Sequence, residues 1–194
     1  DDTVGLNVSG HILIKDKETG EELVNKRNAI HYGNMAYIVA QALNSFNTEN
    51  AFIDRIAFGN GATSIDTAGK ITYKTPKVSE AYENSAGLYS RTHSKRLNPA
   101  STDTFISTTV GASYTDIKIT ATLGYNEPSD AELFDTATNN AGNYVFDEIG
   151  LFTFPTDGSD IDTSTMLTHV IFHPVQKSQN RIIEIVYTVR IQLS

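Results

Sequence analysis

The sequence has no cysteine and no tryptophan. The first absence excludes disulfides, thiolate chemistry and every zinc site built on cysteine. A chain that persists outside a cell without disulfides draws stability from another source, and association between subunits is the usual one. The second absence leaves nine tyrosines and nine phenylalanines to supply the aromatic part of the core. Long apolar runs are missing as well. The best of them, Ile182 to Leu193, is broken by Glu184 and Arg190, whereas a membrane span needs about 20 apolar residues. The opening Asp1-Asp2-Thr3-Val4-Gly5 has neither a basic start nor an apolar centre, so no signal peptide is expected there. Positive charge is scarce: 15 Lys and Arg stand against 23 Asp and Glu, for a net charge of −8. Nucleic-acid binding needs concentrated cationic surface to replace counterions on phosphates, and this balance opposes it. The basic cluster Arg91, Lys95 and Arg96 reads as a solvated loop before it reads as a nucleic-acid patch.

What is present is strand pattern. Val8–Lys15 puts Ile12 and Ile14 on one face, Asp16–Gly20 forms a loop, and Glu21–Asn25 returns, which together predict a β-hairpin. Short strands are expected at Phe52–Phe58, Leu88–Ser94, Thr104–Val110 and Tyr114–Leu123. In the last of these Ile117, Ile119, Ala121 and Leu123 alternate with polar residues, the mark of a half-buried strand. Tyr144–Phe154, Met166–His173 and Arg181–Leu193 read as three further strands, with Lys177–Asn180 as the turn before the last. The unbroken odd-numbered face Ile183 to Leu193 predicts a central strand of a bent or large sheet. One helix stands out near residues 34–44: Met35, Ile38, Val39, Ala42 and Leu43 form a single stripe expected to face inward, with Asn34 as N-cap and Asn44 at the other end. Two long polar excursions interrupt the pattern. Residues 62–86 carry only a weak strand signal at Ile71-Thr72-Tyr73. Residues 126–142 hold at most a turn of helix at Ala131–Phe134. The expected fold is all-β, an antiparallel β-sandwich with one short amphipathic helix, in a single domain spanning residues 1–194.

Candidate chemistry is thin. His169 and His173 share a strand face by the period of two, but positions four apart on a strand lie about 13 Å from each other at about 3.3 Å per residue, too far to share one ion. Structural roles are expected for them. Asp147 and Glu148 are adjacent carboxylates; neighbours on a strand point to opposite faces, which opposes joint acid–base work. One of the two is expected to face inward or toward another subunit, where it needs a hydrogen-bond partner. Gly59-Asn60-Gly61-Ala62-Thr63 superficially resembles a phosphate loop but lacks the Lys-Ser/Thr ending and a following helix, so a turn is expected. Asp157-Gly158-Ser159-Asp160-Ile161-Asp162 lacks the final ligand of a calcium loop and reads as solvated. No catalytic, metal or cofactor-binding residue is assigned, no cofactor is expected, and the chain is not read as an enzyme.

Several segments taken together are similar to known proteins. They are Gly10 to Asp16, Gly20, Asn28-Ala29-Ile30, the Met35–Leu43 helix, Ile56-Ala57-Phe58-Gly59-Asn60-Gly61, Asp147-Glu148-Ile149-Gly150-Leu151-Phe152, and Leu167 to Lys177. In this order they resemble tailed-bacteriophage structural proteins of the tail, baseplate or neck region, including virion proteins of T4-like phages. The resemblance spans nearly the whole chain, though its motifs are short. It implies a β-sandwich subunit of a symmetric ring or fibre attachment, a paired C-terminal hairpin, a location in the virion, and no catalytic residues. The expected partners are copies of the chain and other virion proteins, with no nucleic acid, membrane span or small-molecule substrate. The alternative is a receptor- or glycan-binding β-sandwich module of an adhesin, in which Tyr73, Tyr82 and Tyr89 are the candidate contacts, although a loop-packing role suits such tyrosines better. Residues 62–86 bury too little apolar area to offset the ordering cost of their backbone, so they are expected to order on a neighbouring subunit rather than on their own core.

Overall fold

The computed structural model describes residues 5–44, 51–98, 100–129, 143–158 and 161–193. The chain is all-β, with the two large antiparallel sheets of a β-sandwich fold and one helix. By its contacts it divides into two compact units. The first comprises residues 1–28, 98–144 and 177–194; the second comprises residues 29–97 and 145–176.

The first unit contains β1 (Leu6–Asp16), β2 (Glu22–Arg27), β8 (Thr104–Val110), β9 (Tyr114–Leu123) and β12 (Ile183–Leu193), in the order β2-β1-β12-β9-β8. β12 is the central strand, as its apolar face predicts. Ile14, Ile185 and Ala121 lie in one row across β1, β12 and β9, and Ile12, Tyr187 and Ile119 form the next. All six are fully buried, and burying each isoleucine contributes about 1.5–3 kcal/mol. The Tyr187 hydroxyl keeps a partner inside, the Asn28 side-chain amide at 2.6 Å. The β1–β2 hairpin forms where expected. Gly20 adopts φ 74°, and the Asp16 carboxylate accepts from the amides of Glu18 and Thr19 at 2.9 Å each. The Thr19 amide and the Arg181 guanidinium hold this carboxyl down at about 2.

The second unit contains β3 (Ala29–Ile30), α1 (Tyr32–Leu43), β4 (Ile53–Gly59), β5 (Thr63–Ile65), β6 (Ile71–Tyr73), β7 (Arg91–Arg96) and most of β10 (Asn143–Thr153) and β11 (Thr168–Ser178). Its sheet order is β3-β11-β10-β4-β7, with β5 and β6 as a separate two-stranded ribbon. Phe146 packs edge-to-face on both Phe58 and Phe172, at centroid distances of 5.3 and 5.8 Å, an arrangement worth more than area alone. β11 runs through Pro174. Its pairing with β3 covers only Thr168 and His169, so the missing proline N–H falls beyond that ladder.

Four expectations are corrected. The helix N-cap is His31, whose Nδ1 accepts from the Asn34 amide at 3.3 Å; an imidazole nitrogen with a lone pair serves as a side-chain oxygen would. Asn34 lies within the helix instead, and its side chain fastens Glu83 and Met166. The apolar stripe is buried only at Met35 and Ile38, and Leu43 is 84% exposed. The turn set at Lys177–Asn180 starts later, because Lys177 is a buried residue of β11. There its amine donates to the Ser178 carbonyl at 2.8 Å, and burial pushes it down to about 8. Finally, β11 and β12 belong to different sheets rather than to a paired hairpin, since β12 is bounded by β1 and β9. The turn read at Ala131–Phe134 lies outside the described residues, as does most of the excursion 126–142.

Replacing Ile185 or Val189 with Asp places an unpaired charge in the centre of the first sheet, and no cooperatively melting soluble protein should result. Ile38→Ala should cost about 2–4 kcal/mol in urea unfolding, whereas Leu43→Ala should stay within about 0.5 kcal/mol. Equal effects would mean that the exposed end of the stripe is as structural as the buried one.

Candidate functional site

The adjacent carboxylates on β10 organise the most distinctive part of the second unit. Both Asp147 and Glu148 are fully buried, which corrects the expectation that only one turns inward. Asp147 accepts the amides of Gly61 and Ala62 at 3.1 Å and of Thr63 at 2.8 Å, and the Thr63 hydroxyl donates to it as well. Three successive amides converging on one anion form a nest of the kind that binds phosphate. The phosphate-loop likeness of Gly59–Thr63 therefore has a physical basis, but the anion in the nest is the chain's own carboxylate.

Glu148 accepts the amides of Tyr89 at 2.9 Å and Ser90 at 2.8 Å. Its third partner is His169, with Nε2 2.9 Å from the carboxylate. His169 Nδ1 accepts from the Lys77 amide at 2.9 Å. An amide can only donate, so Nδ1 carries the lone pair and Nε2 carries the proton given to Glu148. Burial alone would raise the Glu148 carboxyl, but the donors His169, Tyr89 and Ser90 outweigh it and hold it below the usual glutamate value. Gly59, paired with Glu148 across β4 and β10, has to be glycine: a Cβ there would sit 2.5 Å from the carboxylate and 2.6 Å from the Ser90 carbonyl.

These contacts fasten the polar excursion at both ends and in the middle. Beyond Thr63 the chain forms the β5–β6 ribbon and returns with Lys74 N–H on the Ala62 carbonyl at 2.8 Å. At residues 79–83 it lies on α1. The Gly33 amide donates to the Ser79 carbonyl at 3.1 Å, and a Cβ on Gly33 would stand 2.1 Å from the Ala81 backbone. The Asn34 side chain accepts the Glu83 amide at 2.7 Å, and the Tyr82 ring packs tilted against Tyr37 with centroids 4.1 Å apart. The expectation that this segment finds no order on its own unit is thus corrected. Its backbone is held by buried polar side chains, a term that a count of apolar area does not contain.

The remaining candidate residues separate. His169 is buried beside Glu148, while His173 is exposed, with Nδ1 3.3 Å from the Tyr73 hydroxyl. Tyr89 lies under Lys74 and Lys77 at 4.4 and 4.5 Å, and its hydroxyl donates to the Thr75 carbonyl. Tyr73, Tyr82 and Tyr89 therefore each have a different partner: His173 on β11, Tyr37 on α1 and the Lys74–Lys77 stretch of the loop. Arg91 pairs with Asp162, and Arg96 pairs with the buried Asp54 and lies over Phe154, so two members of the basic cluster are neutralised. In the acidic loop the Asp157 carboxylate accepts the Thr163 hydroxyl at 3.1 Å, while Ser159 and Asp160 lie outside the described residues. Among the described residues no three His, Asp or Glu side chains gather as metal ligands, and no helix is long and apolar enough to cross a membrane. The sequence reading missed the Glu148–His169–Lys77 chain of hydrogen bonds; its only trace was one glutamate and one histidine on two largely apolar strands, because Lys77 takes part through its backbone amide.

No family model, no curated protein and no solved structure matches this chain.

The lowered Glu148 carboxyl sets a pH dependence. Because its folded value lies below the unfolded one, its contribution to stability is complete above the ordinary glutamate value of about 4.5. That contribution is lost as pH falls through the folded value. Glu148→Gln leaves amide donors without an anion and should cost about 1–3 kcal/mol at neutral pH. It should also flatten the acid limb of urea-midpoint-against-pH curves. A variant with the wild-type acid limb would show that Glu148 is not the group responsible.

Proposed function

We propose that this chain is a structural subunit of a tailed-phage virion, a tail, baseplate, neck or fibre-attachment component that acts by assembling with copies of itself and with other virion proteins. The virion setting rests on the sequence resemblance. The observation that carries assembly is an apolar sheet face that runs on into solvent. Along β12 the buried Ile183, Ile185, Tyr187 and Val189 are followed on the same face by Ile191, which is half-buried, and Leu193, which is 63% exposed. Leu193 pairs with Leu6, 47% exposed. In the row before it, Val110 on β8, Thr115 on β9, Ile191 on β12 and Val8 on β1 are in register, and Val110 is 78% exposed.

The edge of this sheet supports the same reading. β8, Thr-Phe-Ile-Ser-Thr-Thr-Val, has no charge and no proline, the residues that ordinarily guard an edge strand against pairing with another chain. Phe105 on it is exposed. Apolar surface continuous with a core face, next to an unguarded edge, is what a subunit contact uses. Ring assembly joins two different faces and needs no self-complementary patch. The fastened excursion then offers neighbours a polar surface whose order precedes assembly.

Light scattering of the purified chain and of a Val110→Asp, Leu193→Asp variant tests this, together with peptide mass spectrometry of purified phage particles. The expected results are a defined oligomer for the wild type, a monomer with unchanged melting temperature for the variant, and peptides of the chain in the particle. A wild type that stays monomeric at every concentration and is missing from particles would overturn the reading.

A further inference from the structure

From the second unit we infer a binding site for one uncharged sugar ring, the terminal residue of a glycan. The site is a cavity of about 240 Å3, small beside the usual 300–1,000 Å3 of drug-sized ligand pockets and suited to a single ring. Its floor is apolar: Leu88, Phe152 and Ile161 belong to one buried cluster with Met166. Its polar side chains are Asn84, Ser85, Arg91, Asp162 and Ser164.

Ser164 is the informative residue. It is 3% exposed, and its hydroxyl has no partner among the described residues. A buried hydroxyl without a hydrogen bond is costly, and a ligand bringing a polar group to this depth removes the cost. A purely apolar occupant would leave the hydroxyl unmet. Asn84 is already oriented, because its Oδ1 accepts the Thr165 hydroxyl at 3.1 Å, and the NH2 group remains to donate. Arg91 gives one N–H to Asp162, so its charge is met within the chain while further N–H groups remain. An anionic ligand would have to compete with Asp162, and a cationic one with Arg91. The ligand that fits is neutral, with several hydroxyls on one side and a C–H face on the other. A pyranose ring has that chemistry: its C–H face lies on Leu88 and Ile161, and its hydroxyls meet Ser164, Asn84 and the Arg91–Asp162 pair. In a virion component such a site would contact surface glycan, but the pocket stands on its own geometry and does not depend on assembly.

The test is a methyl NMR titration of the full chain with free glucose, galactose, mannose and N-acetylglucosamine, alongside a neutral dipeptide. At least one sugar should shift the Leu88 and Ile161 methyl signals in a saturable way. Ser164→Ala and, separately, Arg91→Met should weaken that sugar about tenfold or more, with melting temperatures close to the wild type. Arg91→Met keeps the reading secure if Ser164→Ala perturbs the fold. The inference is overturned by no saturable shift with any sugar, by equal shifts in both variants, or by a response to the dipeptide alone.

Discussion

Two carboxylates side by side on one strand, both withdrawn from solvent, constrain everything around them. An ionised carboxylate in such a place is tolerated only when donors surround it. Asp147 and Glu148 point to different sides of β10, so each needs its own donors. Backbone amides of Gly61 to Thr63 serve the first; those of Tyr89 and Ser90, with His169, serve the second. The two groups of amides lie at the start of a long polar segment and just past its end. Meeting the needs of one dipeptide therefore fixes where that segment leaves the sheet and where it returns.

The consequence is a surface ordered by polar chemistry rather than by apolar burial. His169 extends the Glu148 contact to the Lys77 amide in the middle of the segment, and Asn34 in α1 ties down Glu83 near its end. Between these points the chain is largely exposed, including Ile65 and Tyr73 of the β5–β6 ribbon. The first unit shows the opposite economy. There a regular apolar face does the ordering and continues past what it buries, at Leu6, Val110 and Leu193. One unit thus presents a polar loop held by its own side chains, and the other leaves part of its apolar sheet face exposed.

How much was legible follows from which interactions leave a periodic trace. β8 and β9 were read to their end residues, and the centrality of β12 was plain from its alternating face, because alternate burial writes itself into alternate residues. The helix was found from its stripe but not its cap, since histidine is a rare acceptor at that position and Asn34 looked like the usual one. The stripe also overstated its own burial at Ala42 and Leu43, as periodicity states direction and not depth. The excursion 62–86 was misjudged for a different reason. Its order depends on partners about 45 to 90 residues away, and a buried carboxylate and an exposed one look the same in a sequence. The Ser164 cavity left no trace at all, because the residues lining it come from three separate stretches.

The central claim is that residues 62–86 are held by their own unit through Asp147 and Glu148. Amide hydrogen exchange on the monomeric Val110→Asp, Leu193→Asp variant tests it most directly. The account predicts strong protection at Gly61 to Thr63, Lys77, Glu83, Tyr89 and Ser90 without any partner present. It also predicts loss of protection at Gly61 to Thr63 in Asp147→Ala while β12 stays protected. Fast exchange at these amides in the free chain, slowing only on assembly, would contradict it.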